Sequence, residues 1–130
     1  MSIKKISETQ PESFEFSKDN LQEITNIIKQ YPKNKKASAV LALLYLVQKQ
    51  HDNWIPLEAI KYVAKFLEIP YIQVYEVATF YSMFNLAPVG KYFVQICTTT
   101  PCMIRGANKM VDVCKKHIAK NKNELSKNNL

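Results

Sequence analysis

Two thiols in the run Cys97-Thr-Thr-Thr-Pro-Cys102 are the residues of this sequence best suited to chemistry. They stand on either side of a Thr/Pro-rich loop, with Arg105, Gly106 and a helix start directly behind. The C-x4-C spacing suits two thiolates chelating one iron. Backbone N–H groups and the dipole at the helix start favour a thiolate and a negatively charged cluster. The hydroxyls of Thr98, Thr99 and Thr100 can hydrogen-bond sulfur and tune its potential.

By itself C-x4-C is a short motif, and other readings stay open. Cys97, Cys102, Cys114 and His117 supply four ligands in a plausible zinc order, which would require the last helix to face the loop. A thiol redox pair closing to a disulfide is a further possibility. Cys114 shares helical spacing with Val111 and Ile118, which favours a small packing residue over a third ligand. His51 lacks a carboxylate–nucleophile pattern nearby and reads as a turn or packing residue. Gly90 fits a turn, and Pro101 stiffens the loop. Gly106 allows close approach of the backbone to a cluster or partner, or simply starts a helix.

The elements that position the pair follow from periodicity. Residues 1–16 are polar and aperiodic and read as a loose, flexible arm. From Ser17 the stripe Leu21, Ile24, Ile27, Ile28, Tyr31 follows a 3.6-residue period until Pro32. A second helix to about Lys49 carries Ala37, Val40, Leu41, Leu44 and Val47, widened by Leu43 and Leu46, as expected of a central helix. Pro56 opens a third, with Ile60, Val63, Ala64 and Leu67 inward. Pro70 opens a fourth that runs through Phe84 with Val74, Val77, Phe80, Tyr81 and Phe84 on one face. Short links imply a four-helix bundle over 17–86. The fourth helix is also apolar on a second side, through Tyr71, Tyr75, Ala78 and Met83, which suits a partner surface or a contact with the following unit.

After the turn Ala87-Pro88-Val89-Gly90, the run Tyr92-Phe93-Val94-Gln95-Ile96 is β-branched and aromatic and reads as a buried strand. A last helix is expected over about Met103–Ala119, with Ala107, Met110, Val111, Cys114 and Ile118 inward. Residues 121–130 form a polar tail. The expected class is α+β: a helical bundle, then the first strand and helix of an incomplete α/β domain over 87–120. A single strand leaves both edges unpaired, so either another chain completes the sheet or the domain is truncated.

Composition bounds the function. Hydrophobic residues make up 47% of the 130, enough for a packed core. No apolar run approaches the roughly 18 residues that cross a bilayer, so direct membrane insertion is not expected. The net charge of +7 rests on 18 basic residues. All of them but Arg105 are lysines, and they are spread along the chain apart from a cluster at Lys115, Lys116, Lys120, Lys122 and Lys127. Nucleic-acid recognition favours arginine forks on a concentrated face, so no nucleic-acid partner is expected. Solvated lysines on helix surfaces account for the charge more readily, with attraction to an acidic protein partner left open.

Several blocks occur in an order that resembles a known family. IPYIQVYEVATFYSMF over 69–84, APVGKY over 87–92, QICTTTPCMIRG over 95–106 and HDNWIP over 51–56 carry the likeness. They look like the thioredoxin-like 2Fe–2S subunit of respiratory NADH:quinone oxidoreductase (complex I). Related subunits occur in NAD-linked formate dehydrogenases and hydrogenases. The resemblance implies a helical bundle joined to a thioredoxin-like domain that carries a 2Fe–2S cluster. Cys97 and Cys102 match the family's first ligand pair, with Thr98, Thr99, Thr100, Arg105 and Gly106 around it. The second pair, a C-x3-C, is absent here, which agrees with the unpaired strand in suggesting truncation.

The implied partner is a flavoprotein subunit that holds FMN and NADH, together with other peripheral-arm subunits. The implied location is cytoplasmic and peripheral to the inner membrane through the complex, or the mitochondrial matrix if organellar. No residue of this chain is expected to do acid–base or hydride chemistry. A cluster-free helical docking fragment is the structural alternative.

Overall fold

The computed structural model describes residues 4–121, 124 and 126. The chain divides into two compact units, one up to Pro88 and one from Val89 onward.

In the first unit Ser17 caps α1 (Lys18–Lys29): its hydroxyl accepts the Asn20 backbone N–H at 3.3 Å, one of the donors a helix start leaves unpaired. A 3-10 turn (Lys36–Ala39) leads into α2 (Val40–Gln50), followed by α3 (Leu57–Leu67) and α4 (Tyr71–Phe80). Pro56 and Pro70 sit at the N-caps of α3 and α4 in extended conformation, where a missing N–H costs no helical bond. Glu68 ends α3 with a left-handed φ of 57°, and Pro70 prevents the helix from resuming.

As the periodicity implies, α2 is central and touches α1, α3 and α4. Leu43, Leu44 and Val47 are fully buried, each removal from water stabilising the fold by about 1.5–3 kcal/mol. Ile24 of α1, Ile60 and Val63 of α3, and Val74 and Ala78 of α4 close around them. Leu41, expected in the α2 stripe, is only partly buried against this core.

Two features of the first unit differ from the sequence expectation. Residues 4–16 contain no helix, yet they are seated on the bundle instead of forming a loose arm. Phe14 and Phe16 are buried; their rings meet edge to face at 5.3 Å and pack on Tyr62 at 5.9 and 5.5 Å. The Ser7 N–H donates to the Leu86 carbonyl at 3.0 Å. The Gln10 side-chain oxygen accepts the Leu57 N–H, a free donor at the start of α3, at 2.8 Å. The Lys4 ammonium donates to the carbonyls of Ala78 at 2.7 Å and Phe84 at 2.9 Å, and to that of Tyr81. It thereby serves carbonyls in and just beyond the last turn of α4. Burial holds this lysine's pKa below the ordinary range.

The second difference is that α4 ends at Phe80 instead of running through Phe84. Tyr81 turns extended, with φ −78° and ψ 124°. Phe80 is therefore 64% exposed, while Phe84 and Leu86 re-enter the core from the connecting segment. Their backbone stays satisfied: the Gln48 side chain donates to the Met83 carbonyl at 3.0 Å and accepts the Asn85 N–H at 2.8 Å, and the Ile55 N–H donates to the Asn85 carbonyl at 2.7 Å. Ala78, assigned by periodicity to the second apolar side, is fully buried.

The unit from Val89 onward overturns the expected α+β class. Among the described residues there is no strand, and every regular element is helical. The run 92–96 is irregular, with Tyr92, Phe93 and Val94 exposed instead of buried. β-propensity expresses packing on a pleated neighbour, and no described segment pairs with this one. The expected first strand of a thioredoxin-like domain is therefore absent. The last helix is also divided, into α5 (Thr100–Ile104) and α6 (Ala107–His117). Gly106 joins them at φ 97°, a left-handed conformation natural to glycine. A Cβ there would meet nothing within 4 Å, so the backbone turn, and not a close approach within the chain, calls for glycine.

Removing Phe16 beyond Cβ (Phe16→Ala) is expected to lower stability by about 3 kcal/mol, and Lys4→Met by about 1–2 kcal/mol. Urea unfolding followed by circular dichroism measures both. No loss in either variant would mean that residues 4–16 do not hold the bundle.

Candidate functional site

The local rules that shape α5 also place the two cysteines. Thr99 is the N-cap in extended conformation, and Pro101 occupies the first turn, where its ring fits and its absent N–H is not missed. The Met103 N–H donates to the Thr99 carbonyl at 2.9 Å, and the Arg105 N–H to that of Pro101 at 3.2 Å. Cys97 lies in the irregular segment before this turn and is exposed; Cys102 lies within α5 and is half-buried. The turn sets the two thiols near enough for the ionisation of one to affect the other.

The two sulfurs are not equivalent. Cys97 Sγ is 3.1 Å from Thr99 Oγ1. The Thr99 hydroxyl and backbone N–H, then the Cys102 thiol, donate to the Cys97 sulfur and lower its pKa to about 7. The Cys102 pKa moves up, first because its proton is engaged by Cys97 and then through burial. Stabilising one thiolate while keeping its neighbour protonated is the ordinary result when two acidic groups share a proton.

Other candidate residues fall differently. Thr98, Thr100 and Arg105 are exposed, and Gly106 is part-buried at the α5–α6 joint. Of the three threonines, the one the structure sets on sulfur is Thr99. Cys114 is half-buried in α6 and His117 is exposed. Among the described residues no three His, Cys, Asp or Glu side chains gather into a metal-binding group, so the zinc arrangement of Cys97, Cys102, Cys114 and His117 is not assembled. His51 packs against Trp54 at 4.7 Å and Phe14 at 6.4 Å in the first unit. Its Nδ1 is buried without a hydrogen-bond partner, and its neighbours are those of a packing residue.

Sequence reasoning did not separate Thr99 from its two neighbours or anticipate the unequal thiols. The available signal was Thr99 directly before the Thr-Pro start of a short helix; its hydroxyl makes no cap bond there and meets Cys97 instead. In donor chemistry the Cys97–Cys102 pair fits half of a 2Fe–2S centre, two thiolates for one iron. The 130 residues contain three cysteines, one fewer than a four-thiolate centre takes.

Residues 24–130 match the family model described as Thioredoxin-like [2Fe-2S] ferredoxin. The chain is 53% identical over 115 residues to the E subunit of the NADH-quinone oxidoreductase of Rickettsia typhi, covering 88% of this chain and 68% of the relative. It is 50% identical to that of Rickettsia prowazekii over 115 residues, covering 88% and 65%. With the Rickettsia felis protein of the same name it shares 53% over 106 residues, covering 82% and 64%. The matched part thus amounts to about two thirds of each relative's length. A match over most of the chain, relatives this similar and a thiol pair within the matched region together establish that the chain belongs to the thioredoxin-like 2Fe–2S ferredoxin family.

Proposed function

We propose that this chain is an electron-transfer subunit of an NADH:quinone oxidoreductase, in which Cys97 and Cys102 hold one iron of a 2Fe–2S cluster near the flavin of a partner subunit. The observation that carries the reading is the C-x4-C pair on the Thr99-capped turn, with Cys97 Sγ held 3.1 Å from Thr99 Oγ1. Family membership supports it, and the relatives' shared name favours the quinone oxidoreductase over formate dehydrogenase or hydrogenase. The FMN and the NADH site belong, in this reading, to the partner flavoprotein, and attachment to the membrane runs through the complex. In the described residues no helix is long and apolar enough to cross a bilayer.

The cluster, when bound, accepts and returns one electron at a time. The chain's own residues present sulfur and adjust its charge. Cys97 meets a metal about half as thiolate at neutral pH, whereas Cys102 must release its proton on binding. The Thr99 hydroxyl and N–H, which donate to sulfur, then lower electron density on it and favour the reduced form. The remaining two thiolates of the set come from outside this pair.

Anaerobic incubation of the reduced chain with ferrous iron and sulfide is expected to give thiolate-to-iron absorption and iron that survives desalting. Cys97→Ser and Cys102→Ser lose it, and Cys114→Ser keeps it. Colourless, iron-free protein, or dependence on Cys114 instead, would sink the reading.

The pH dependence has a definite sign. A thiol whose pKa is lowered is reactive above that pKa and protected below it. Alkylation of Cys97 by iodoacetamide should rise with pH through a midpoint of about 7. In Thr99→Val the midpoint moves up toward the ordinary thiol range, because the hydroxyl donor is gone. An unchanged midpoint in that variant would remove Thr99 from the site.

A further inference from the structure

We infer that the carbonyls of Ala78, Tyr81 and Phe84 form a binding site for a primary ammonium group, filled here by the side chain of Lys4 and open to a free amine that displaces it. The inference concerns the first unit alone and does not rest on the electron-transfer reading above.

The site begins with the way α4 ends. Carbonyls in the last turn of a helix receive no intrahelical N–H, and the helix dipole adds negative character there. Because α4 stops at Phe80 and Tyr81 turns extended, the Ala78 carbonyl is one of these. The turn that follows adds the Tyr81 and Phe84 carbonyls, with the Phe84 N–H donating back to Tyr81 at 3.3 Å. Gln48 holds this turn from α2, through the Met83 carbonyl at 3.0 Å and the Asn85 N–H at 2.8 Å. Ala78 and Phe84 are themselves buried. The cradle is thus built by α4, Gln48 and the core, and not by the residue that occupies it.

The occupant fits by count and by geometry. An ammonium head has three donors and no acceptor. Lys4 Nζ lies 2.7 Å from the Ala78 oxygen and 2.9 Å from that of Phe84, and it also donates to Tyr81. Each hydrogen meets one carbonyl. Among the described residues no carboxylate pairs with Lys4. Recognition therefore rests on oxygen dipoles aimed at N–H donors, which a quaternary ammonium lacks.

Lys4 enters from the end of a segment that has its own anchors. The Ser7 N–H on the Leu86 carbonyl, Gln10 on the Leu57 N–H, and the buried rings of Phe14 and Phe16 hold it further along. The lysine can leave while these contacts stay. It is also only part-buried, so solvent reaches the mouth of the site. A free methylammonium ion carries the same three donors and competes with the tethered group.

The test titrates methylammonium chloride into the full chain and into its Lys4→Ala variant, with tetramethylammonium chloride at matched ionic strength as the reference. Nuclear magnetic resonance shifts of the Ala78, Tyr81 and Phe84 carbonyl carbons report binding. Methylammonium is expected to move all three saturably in Lys4→Ala, and to raise that variant's urea midpoint above its value in the reference salt. The wild-type chain should need at least about tenfold more amine for the same shifts, because Lys4 competes from within. Its Lys4 ammonium protons should exchange more slowly than those of exposed lysines, and their signal should fade as the amine binds. Equal shifts with tetramethylammonium would reduce the effect to ionic strength and overturn the site, as would saturation at the same concentration in both proteins. Should Lys4→Ala fail to fold, the wild-type ammonium signal decides alone. Slow exchange lost to methylammonium and kept in tetramethylammonium supports the site; exchange as fast as at exposed lysines overturns it.

Discussion

Two sulfurs separated by four residues can act together only if the chain reverses between them. Fully extended, the five steps from Cys97 to Cys102 would span about 17 Å. The start of α5 removes that distance: Thr99 turns the chain at the cap, Pro101 holds the first turn in helical φ, and Cys102 comes back toward Cys97. The linked, unequal acidities and any shared metal depend on this one reversal.

The two units are held by different means. Up to Pro88 the chain has a continuous core, from Phe14 and Phe16 through α2 to Phe84 and Leu86. From Val89 onward Ala107 is the one buried hydrophobic residue among those described, and Tyr92, Phe93, Ile104 and Met110 face outward. Order around the cysteines therefore comes from local bonds: the turn at Thr99, the proline in α5 and the left-handed glycine at 106. Such structure opens at lower cost than a packed core. It also leaves the sulfurs accessible to metal, to small thiols and to a partner protein.

A similar division appears in the polar contacts of the first unit. Gln48, Gln10 and Lys4 each reach across the chain to backbone groups that a helix end or a connecting segment would leave unpaired. They let irregular segments lie against an apolar bundle without stranding donors or acceptors. Lys4 is the clearest case, since a charged residue near the chain start serves the end of a helix more than seventy positions away.

What was legible in the sequence was whatever repeats or punctuates locally. Ser17 and the 3.6-residue stripes mark α1 to α3, the prolines mark two helix starts, and C-x4-C marks the site with its family. The expected strand at 92–96 failed because a strand is stable only through a neighbour it pairs with, a relation that aromatic and β-branched composition does not encode. The loose arm failed for a related reason: Phe14 and Phe16 are two positions apart in a polar segment, and only the bundle surface with Tyr62 makes them core. The choice of Thr99 among three threonines, and of Cys97 as the acidic thiol, likewise arises from which hydroxyl and which N–H the α5 cap turns toward sulfur. Residue types and spacing determined the thiol pair and the helical bundle, because helices and short turns are set by contacts within a few residues. Tertiary structure decided burial, helix ends and thiol inequality, because each depends on atoms brought close in space by the folded chain.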